Sequence, residues 1–210
     1  CTPVEGQCSG PGIHSNGRRL ARQTMPGSEE IVERVLIDQE TLQHRLAELG
    51  QSISDNYEGK DLVLVCVLKG GVTCLTDLMR QITIPHEIDF MAISSYGEGQ
   101  RDSSGAVRLI MDLKTDISGR DVLIVEDIVD SGQTMQYLLR SLWARQPASL
   151  QVCTLLNKPS RRVVEVPLDY VGFDIPDAFV LGYGLDFDEK YRNLPCVAVL
   201  KPEYYAGLPD

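Results

Sequence analysis

The chain has 210 residues, a length that fits one compact domain or one domain with a small appendage. Its apolar fraction of 43% and charged fraction of 24% are ordinary for a globular protein, and no apolar run reaches the roughly 20 residues that a membrane-spanning helix requires. The net charge of −10 disfavours a nucleic-acid or anionic-membrane binder, because both partners require a basic surface.

The six cysteines favour a reducing compartment. They form no CxxC pair, and Cys66 and Cys153 lie inside apolar runs, where small core residues are expected. The start of the chain shows no charged segment followed by an apolar stretch and a cleavage site, so we expect no secretory signal. A cytoplasmic protein with reduced thiols is therefore predicted.

Residues 1–30 differ in composition from the rest of the chain. They are rich in Gly, Pro and polar groups without a hydrophobic period, which predicts a disordered tail or one derived from an expression vector. Residues 31–210 are predicted to form a single domain. Its first helix is expected to begin directly after Asp38, a residue type that is common at N-caps. The reason is that apolar residues with helical spacing follow at Leu42, Leu46, Leu49 and Ile53.

The centre of the chain alternates between apolar runs of strand length and amphipathic helices. Residues 61–68 are almost continuously apolar, as a strand buried on both faces should be. Two helical stripes follow, Val72, Leu75, Met79 and Ile82 in the first and Met135, Leu138, Leu139 and Leu142 in the second. Further strands are predicted at 88–94, 107–113, 122–125 and 152–156, with short ones near 168–173, 178–181 and 197–200.

This alternation predicts an α/β fold. Strands that alternate with helices of about ten residues form βαβ units, which build a mainly parallel twisted sheet flanked by helices on both faces. Ligands of such sheets bind beyond the carboxyl ends of the strands. Residues that directly follow predicted strands are therefore the first candidates for a site.

The stretch VLIVEDIVDSGQT, residues 122–134, places acidic side chains at the end of a predicted strand. Crowded carboxylates repel one another and resist desolvation, so something must be gained from holding Glu126, Asp127 and Asp130 together. The turn that follows opens a helix whose backbone N–H groups and dipole favour an anion. The combination fits a sugar phosphate, with the carboxylates on hydroxyls and hydrated Mg²⁺. An acidic cluster before an ordinary capped helix is the alternative.

Residues 122–134 resemble the phosphoribosyl-diphosphate (PRPP) motif of type I phosphoribosyltransferases: apolar strand, two acids, two apolar residues, then Asp-Ser/Thr-Gly-x-Thr. Between about Leu36 and Tyr205 the chain resembles the hypoxanthine-guanine branch of that family. Further motifs stand in the family's order: VLKGG (67–71), SSYG (94–97), LLNKP (155–159), VGFDIPDAFVLGYGLDFDEKYRNLP (171–195) and LKPEYY (200–205). The resemblance implies the type I fold with a small hood subdomain, formed by the N-terminal part of the body and about 158–205.

The resemblance also implies a reaction: transfer of 5-phosphoribose from PRPP to N9 of hypoxanthine or guanine in purine salvage, giving IMP or GMP and diphosphate. Glu126 and Asp127 match the acidic pair that contacts the ribose hydroxyls and their Mg²⁺. Asp130 matches the carboxylate that acts as general base at the purine N7. The 5′-phosphate cradle is matched by Ser131, Gly132, Gln133 and Thr134.

Other parts of the family's site match residues elsewhere in the chain. Lys69 and Gly70 match the diphosphate-binding loop, which has a cis peptide in the family, and Arg192 matches a further diphosphate contact. Asp186 matches a second Mg²⁺ position. The start of a mobile lid is matched by Ser95 and Tyr96.

The purine subsite is implied in the same way. Lys158 matches the donor to the exocyclic O6, Phe179 the ring stacked on the purine, and Val180 the residue whose backbone meets the base edge. From the residues alone, a solvated loop lysine is the favoured interpretation of Lys158, and a core residue is an alternative for Phe179.

Two alternatives remain open for the function. One is a xanthine- or guanine-preferring relative, which these motifs separate poorly. The other is a regulator that binds PRPP without catalysis, although residues 1–35 show no helix-turn-helix pattern and the acidic balance disfavours DNA. The expected partners are PRPP and a 6-oxopurine, with no nucleic acid and no membrane, in a homodimer or homotetramer.

Overall fold

The computed structural model describes residues 28–95 and 107–206. Most of the tail predicted over 1–30 lies outside these residues, as does most of the polar segment between the strands predicted at 88–94 and 107–113. Within the described residues, no helix is long and apolar enough to cross a membrane.

Strands and helices alternate through the centre of the described chain. The strands are β1 (Val32–Ile37), β2 (Leu62–Leu68), β3 (His86–Ser95), β4 (Val107–Met111), β5 (Asp121–Val129), β6 (Ser149–Asn157), β7 (Tyr170–Asp174), β8 (Val180–Leu181) and β9 (Val197–Leu200). The helices are α1 (Gln39–Asn56), α2 (Gly71–Gln81) and α3 (Gln133–Trp143), with 3₁₀ turns at Pro159–Arg161 and Pro202–Tyr204.

The main sheet has six strands in the order β4-β3-β2-β5-β6-β7. Neighbouring strands are parallel except β3 and β4, which are antiparallel. The central strands β2 and β5 are buried along most of their length because their sequences are almost entirely apolar. The predicted α/β fold with a mainly parallel sheet is confirmed, and the carboxyl ends of β2 and β5 lie side by side, with Cys66 opposite Val125.

Helices cover both faces of this sheet. Successive strand residues point to opposite faces, so Leu64 of β2 packs into the core beneath α1 and α2, whereas Val65 packs into the core beneath α3. The stripes predicted for α1 and α3 are buried as expected. The predicted N-cap of α1 is also confirmed, because Thr41 N donates a 2.9 Å hydrogen bond to Asp38 Oδ1.

The stripe predicted for α2 requires one correction. Leu75 is buried, but Val72 is 39% exposed, and Cys74 and Leu78 complete the buried face instead. A helix turns by about 100° per residue, so Val72 points well away from the face on which Gly71 meets the sheet.

A separate three-stranded antiparallel sheet has the order β1-β9-β8. The sequence pattern does not predict β1, whose pairing with β9 is interrupted by shifts in register. The short strands predicted near 178–181 and 197–200 correspond to β8 and β9. This sheet lies within the segments assigned to the hood, whereas β7, from the same range, extends the main sheet beside β6.

Candidate active site

A cleft of about 310 Å³ opens at the carboxyl ends of β2 and β5. Its position is the one expected for a ligand site in a parallel sheet. Many of the residues identified from the sequence line this cleft: Lys69, Gly70, Glu126, Asp127, Asp130, Gly132, Thr134, Asp186 and Arg192. The structure therefore brings the acidic pair, the turn and the loop after β2 together.

Glu126 and Asp127 lie in the second half of β5, where the strand lines the cleft. Each is only 8% exposed, and Glu126 Oε2 is buried without a hydrogen-bond partner among the described residues. Asp127 Oδ1 accepts a 3.0 Å hydrogen bond from Ile128 N. Burial raises the pKa of both carboxyls, and the charge of Asp127 raises the pKa of Glu126 further, well above its usual value. The pair is therefore costly to keep charged in the absence of a ligand.

The loop after β2 lies directly against this acidic pair. The peptide bond between Leu68 and Lys69 is cis. Gly70 is so close to Asp127 that a β-carbon on it would lie 1.7 Å from Asp127 Oδ2. From the other side, a β-carbon on Gly184 would lie 2.2 Å from the Gly70 carbonyl oxygen. The absence of side chains at both glycines lets the two backbone segments approach each other and the Asp127 carboxylate at this point.

The turn after β5 has the geometry of an anion site. Gly132 has a φ of 82°, a left-handed conformation that glycine adopts without strain, and it begins α3 with no side-chain cap. Its missing side chain also admits the Val164 carbonyl oxygen, which would lie 2.3 Å from a β-carbon. Gln133 N makes only a long 3.5 Å contact to Ser131 Oγ. The first N–H groups of the helix can therefore meet a phosphate.

Asp130 occupies the wall between the acidic pair and this turn. Its carboxylate accepts a hydrogen bond from Ser131 N, and its backbone carbonyl accepts one from Arg162 Nε at 2.9 Å. The side chain is exposed towards the cleft that it lines. A carboxylate so placed can accept a proton from a ligand in the cleft.

The cations at the cleft are engaged with acids. Arg192 Nη2 lies 2.7 Å from Asp186 Oδ1, and Lys69 Nζ lies 2.7 Å from Glu189 Oε2. Arg192 also donates to the Gly184 carbonyl at 2.8 Å. Because these ion pairs are exposed or half-exposed, they contribute little stability. An anionic ligand can therefore displace the carboxylates and bind the two cations.

The described residues contain no group of three His, Cys, Asp or Glu side chains close enough to hold a metal ion. Asp186 lines the cleft but is paired with Arg192 rather than grouped with Glu126 and Asp127.

The purine residues predicted from the sequence lie outside the lining of this cleft. Lys158 is largely buried, and its Nζ donates a 2.9 Å hydrogen bond to the Ala178 carbonyl. Burial lowers the pKa of Lys158, and the negative charges of Asp177 and Asp130 partly offset this by raising it. Lys158 N also donates a 2.9 Å hydrogen bond to the Val129 carbonyl, so Lys158 lies near the Asp130 end of the site.

Phe179 presents a partly exposed ring, at 36%. Tyr205 stacks on this ring, with centroids 5.5 Å apart and planes inclined by 22°, and Phe187 meets it edge-on at 5.9 Å. Val180 is buried in β8, opposite Val199 of β9. Of the predicted lid pair, Ser95 is the last residue of β3, whereas Tyr96 lies outside the described residues.

Sequence reasoning missed two residues that shape this site. Gly184 lies within the motif at 171–195 but was not singled out, although its positive φ of 101° is a conformation for which glycine is suited. Arg162 contacts the backbone of Asp130 from a loop with no regular hydrophobic period, so only the folded chain reveals it.

An acidic pair, a turn suited to an anion and a glycine loop at the carboxyl edge of a parallel sheet are together characteristic of a phosphoribosyltransferase. Residues 37–188 match the phosphoribosyl transferase domain family. The chain is 54% identical over 180 residues to the hypoxanthine-guanine phosphoribosyltransferase of Mycobacterium avium, covering 83% of this chain and 88% of that protein. The chain belongs to the hypoxanthine-guanine phosphoribosyltransferase family, as its motifs predict.

Other relatives agree. The hypoxanthine-guanine phosphoribosyltransferase of Streptococcus thermophilus is 46% identical over 177 residues, covering 84% of this chain and 98% of that protein. A crystal structure of a hypoxanthine phosphoribosyltransferase from Staphylococcus aureus has a TM-score of 0.82 and 43% identity, covering 86% of this chain and 98% of that one. The predicted type I phosphoribosyltransferase fold is thus confirmed.

Proposed function

We propose that the protein transfers 5-phosphoribose from PRPP to N9 of hypoxanthine or guanine, forming IMP or GMP and diphosphate in purine salvage. The main support is the buried pair Glu126 and Asp127, in which one oxygen of Glu126 has no partner among the described residues, beside a turn suited to an anion. Such a pair is suited to a ligand that becomes cationic, because departure of diphosphate leaves positive charge on the ribose.

The two phosphate groups of the substrate have separate places in this proposal. The turn from Ser131 to Thr134 receives the 5′-phosphate through backbone N–H groups and hydroxyls. The diphosphate is received by Lys69, Gly70 and Arg192. Lys69 then leaves its ion pair with Glu189, and Arg192 leaves its ion pair with Asp186, to bind the diphosphate. A net negative protein can bind the substrate in this way because the local donors, rather than the overall charge, face the phosphates.

Mg²⁺ fits the donor set. The ion is usually held by one or two carboxylates together with substrate oxygens and water rather than by an all-protein cage. Glu126 and Asp127 would hold it with the ribose hydroxyls, consistent with the unpartnered Glu126 oxygen, and Asp186 would face a second ion. When bound, the metal supplies charge neutralisation for the departing diphosphate.

Asp130 would accept the proton from the purine N7 side while Lys158 donates to the exocyclic O6. Lys158 can do so because burial restrains its side chain close to the Asp130 end of the site. Phe179 offers its ring for stacking, and Val180 offers backbone groups beside it in β8. A lid beginning at Ser95 and Tyr96 would exclude water during transfer.

A spectrophotometric assay with Mg²⁺ and PRPP tests this function, with hypoxanthine, guanine, xanthine and adenine as separate acceptors. Turnover of hypoxanthine and guanine is expected. Turnover of xanthine alone would indicate a xanthine-preferring enzyme, and PRPP binding without any turnover would indicate a regulator. Light scattering during gel filtration tests the predicted homodimer or homotetramer.

A further inference from the structure

The loop between β6 and β7 lies behind the wall of the cleft, and one arginine there joins the ends of two strands. Arg162 is half-buried. Its Nε donates to the Asp130 carbonyl at 2.9 Å, and its Nη2 donates to Asn157 Oδ1 at 2.5 Å. A longer contact of 3.5 Å runs from Nη2 to the Val129 carbonyl. The guanidinium thus connects the end of β5 to the end of β6.

The two residues after Arg162 continue this contact along the turn. Val163 N and Val164 N both donate to the Ser131 carbonyl, at 3.0 and 2.9 Å. The Val164 carbonyl oxygen occupies the space that a β-carbon on Gly132 would require. Residues 162–164, the rear segment, therefore contact the chain at Asp130, Ser131 and Gly132 without lining the cleft.

These contacts fix the direction of the amides on the other side. A trans peptide unit is planar, so its C=O and the next N–H point in opposite directions. When Arg162 holds the Asp130 carbonyl, the Ser131 N–H points the other way, and it donates to the Asp130 carboxylate. When the rear segment holds the Ser131 carbonyl, the N–H of Gly132 is directed away from it as well.

We infer that Arg162 is a positioning residue that keeps the Asp130 carboxylate and the 5′-phosphate turn in fixed register with each other. This inference rests on the proposed function, in which Asp130 accepts the proton and the turn holds the phosphate. Arg162 itself does not line the cleft. It acts through the peptide unit between Asp130 and Ser131, and an arginine suits the place because its rigid planar fork serves several acceptors at once.

The test compares Arg162→Met, Arg162→Lys and the control Arg161→Met. Arg161 is the exposed neighbour, whose ion pair is with Asp177 at 3.7 Å. For Arg162→Met, kcat/KM for PRPP should fall on the order of 10- to 100-fold, because small displacements of reacting groups have effects of that size. Arg162→Lys should fall between it and the wild type, and Arg161→Met should match the wild type.

Binding separates positioning from general damage. IMP uses the 5′-phosphate turn, whereas diphosphate uses the loop at Lys69 and Gly70. Thermal-shift titrations of Arg162→Met should show weaker IMP binding with unchanged diphosphate binding. Equal loss of both, or wild-type kinetics, would overturn the inference. If Arg162→Met does not fold, Arg162→Lys decides: wild-type kinetics and IMP binding in that variant would overturn it too.

The two hypotheses fail in different ways. A wild-type protein that binds IMP but transfers no ribose to any purine would refute the proposed function, while the comparison of IMP with diphosphate binding would still judge Arg162. A wild-type protein that neither binds IMP nor turns over would refute both.

Discussion

Gly70 and Asp127 touch so closely that the space of a β-carbon on Gly70 is filled by the Asp127 carboxylate, 1.7 Å from the position that carbon would take. The contact joins the loop after β2 to the acidic pair at the end of β5. Gly70 has a φ of −58°, which any residue adopts, so space and not backbone strain requires glycine here. A substitution at Gly70 therefore probes the contact itself.

We expect Gly70→Ala to lower kcat/KM for PRPP on the order of 100-fold, because the methyl group must displace either the loop or the Asp127 carboxylate. Steady-state kinetics measures the effect. The control is Gly59→Ala, where a β-carbon would meet nothing within 4 Å but the φ of 74° is unfavourable. That variant should lose stability and keep its activity. Full activity in Gly70→Ala would mean that the loop shifts without consequence.

The acidic pair should destabilise the protein in the absence of ligand. We expect the double change Glu126→Gln plus Asp127→Asn to raise the melting temperature of the ligand-free protein slightly, since it removes repulsion and buried charge. It should also weaken binding of Mg²⁺ with PRPP and slow transfer. Thermal shift with and without both ligands measures the first two effects. A double variant that melts lower yet binds and turns over normally would indicate an ordinary strand-end cluster.

The pH dependence of this difference has a defined sign. The folded-state pKa of Glu126 is raised by burial and by Asp127, so the folded protein binds protons more tightly than the unfolded chain. Stability then falls as the pH rises from the unfolded pKa through the folded one. The melting-temperature gain of the double variant should therefore grow with pH across that window. Glu58→Gln plus Glu165→Gln, which changes two exposed acids, is the control and should show no such growth.

Asp130→Asn should keep the shape of the site and remove the proton acceptor. Turnover with hypoxanthine should fall on the order of 10²–10⁴-fold, the usual range for loss of a general base. Binding of IMP should change little, because the contacts of the turn at Ser131 and Gly132 are retained. Near-full turnover across neutral pH would show that Asp130 is not the base.

Lys158 should make the enzyme discriminate against adenine as a substrate. The exocyclic amino group of adenine would face a buried ammonium, leaving two donors opposed, and such a mismatch gives discrimination on the order of 10⁴-fold. Lys158→Gln should narrow the ratio of hypoxanthine to adenine turnover, because an amide can accept as well as donate. The control, Lys60→Gln, changes an exposed lysine before β2, at the opposite edge of the sheet. Efficient adenine turnover by the wild type would contradict this role.

Local patterns predicted the parts of the fold that local forces determine. The continuous apolar run of β2 and the stripes of α1 and α3 follow directly from burial on two faces or on one. β1 was not predicted because its partner β9 lies far along the chain and because shifts in register interrupt the alternation of buried and exposed side chains. Val72 was assigned to the wrong face of α2 because helical spacing alone does not fix where a stripe is centred.

The site divides in the same way. Glu126, Asp127 and Asp130 were predicted because they stand together in one motif after a strand. Arg162 and Gly184 were not, since each acts on a residue distant in sequence, Asp130 and Gly70 respectively. Only the packing of loops against the cleft wall brings these pairs together.

The pairing of Val32 with Leu200 also sets the order in which the two sheets can form during translation. All strands of the six-stranded sheet have left the ribosome once Asp174 has emerged, whereas β8 and β9 follow only later. Domains assemble from the N-terminus during translation, so β1 must wait for the last part of the described chain before it acquires a partner. The surface that carries Phe179 is therefore completed last, and a nascent chain stopped before Val197 would have a phosphate turn without a finished purine subsite.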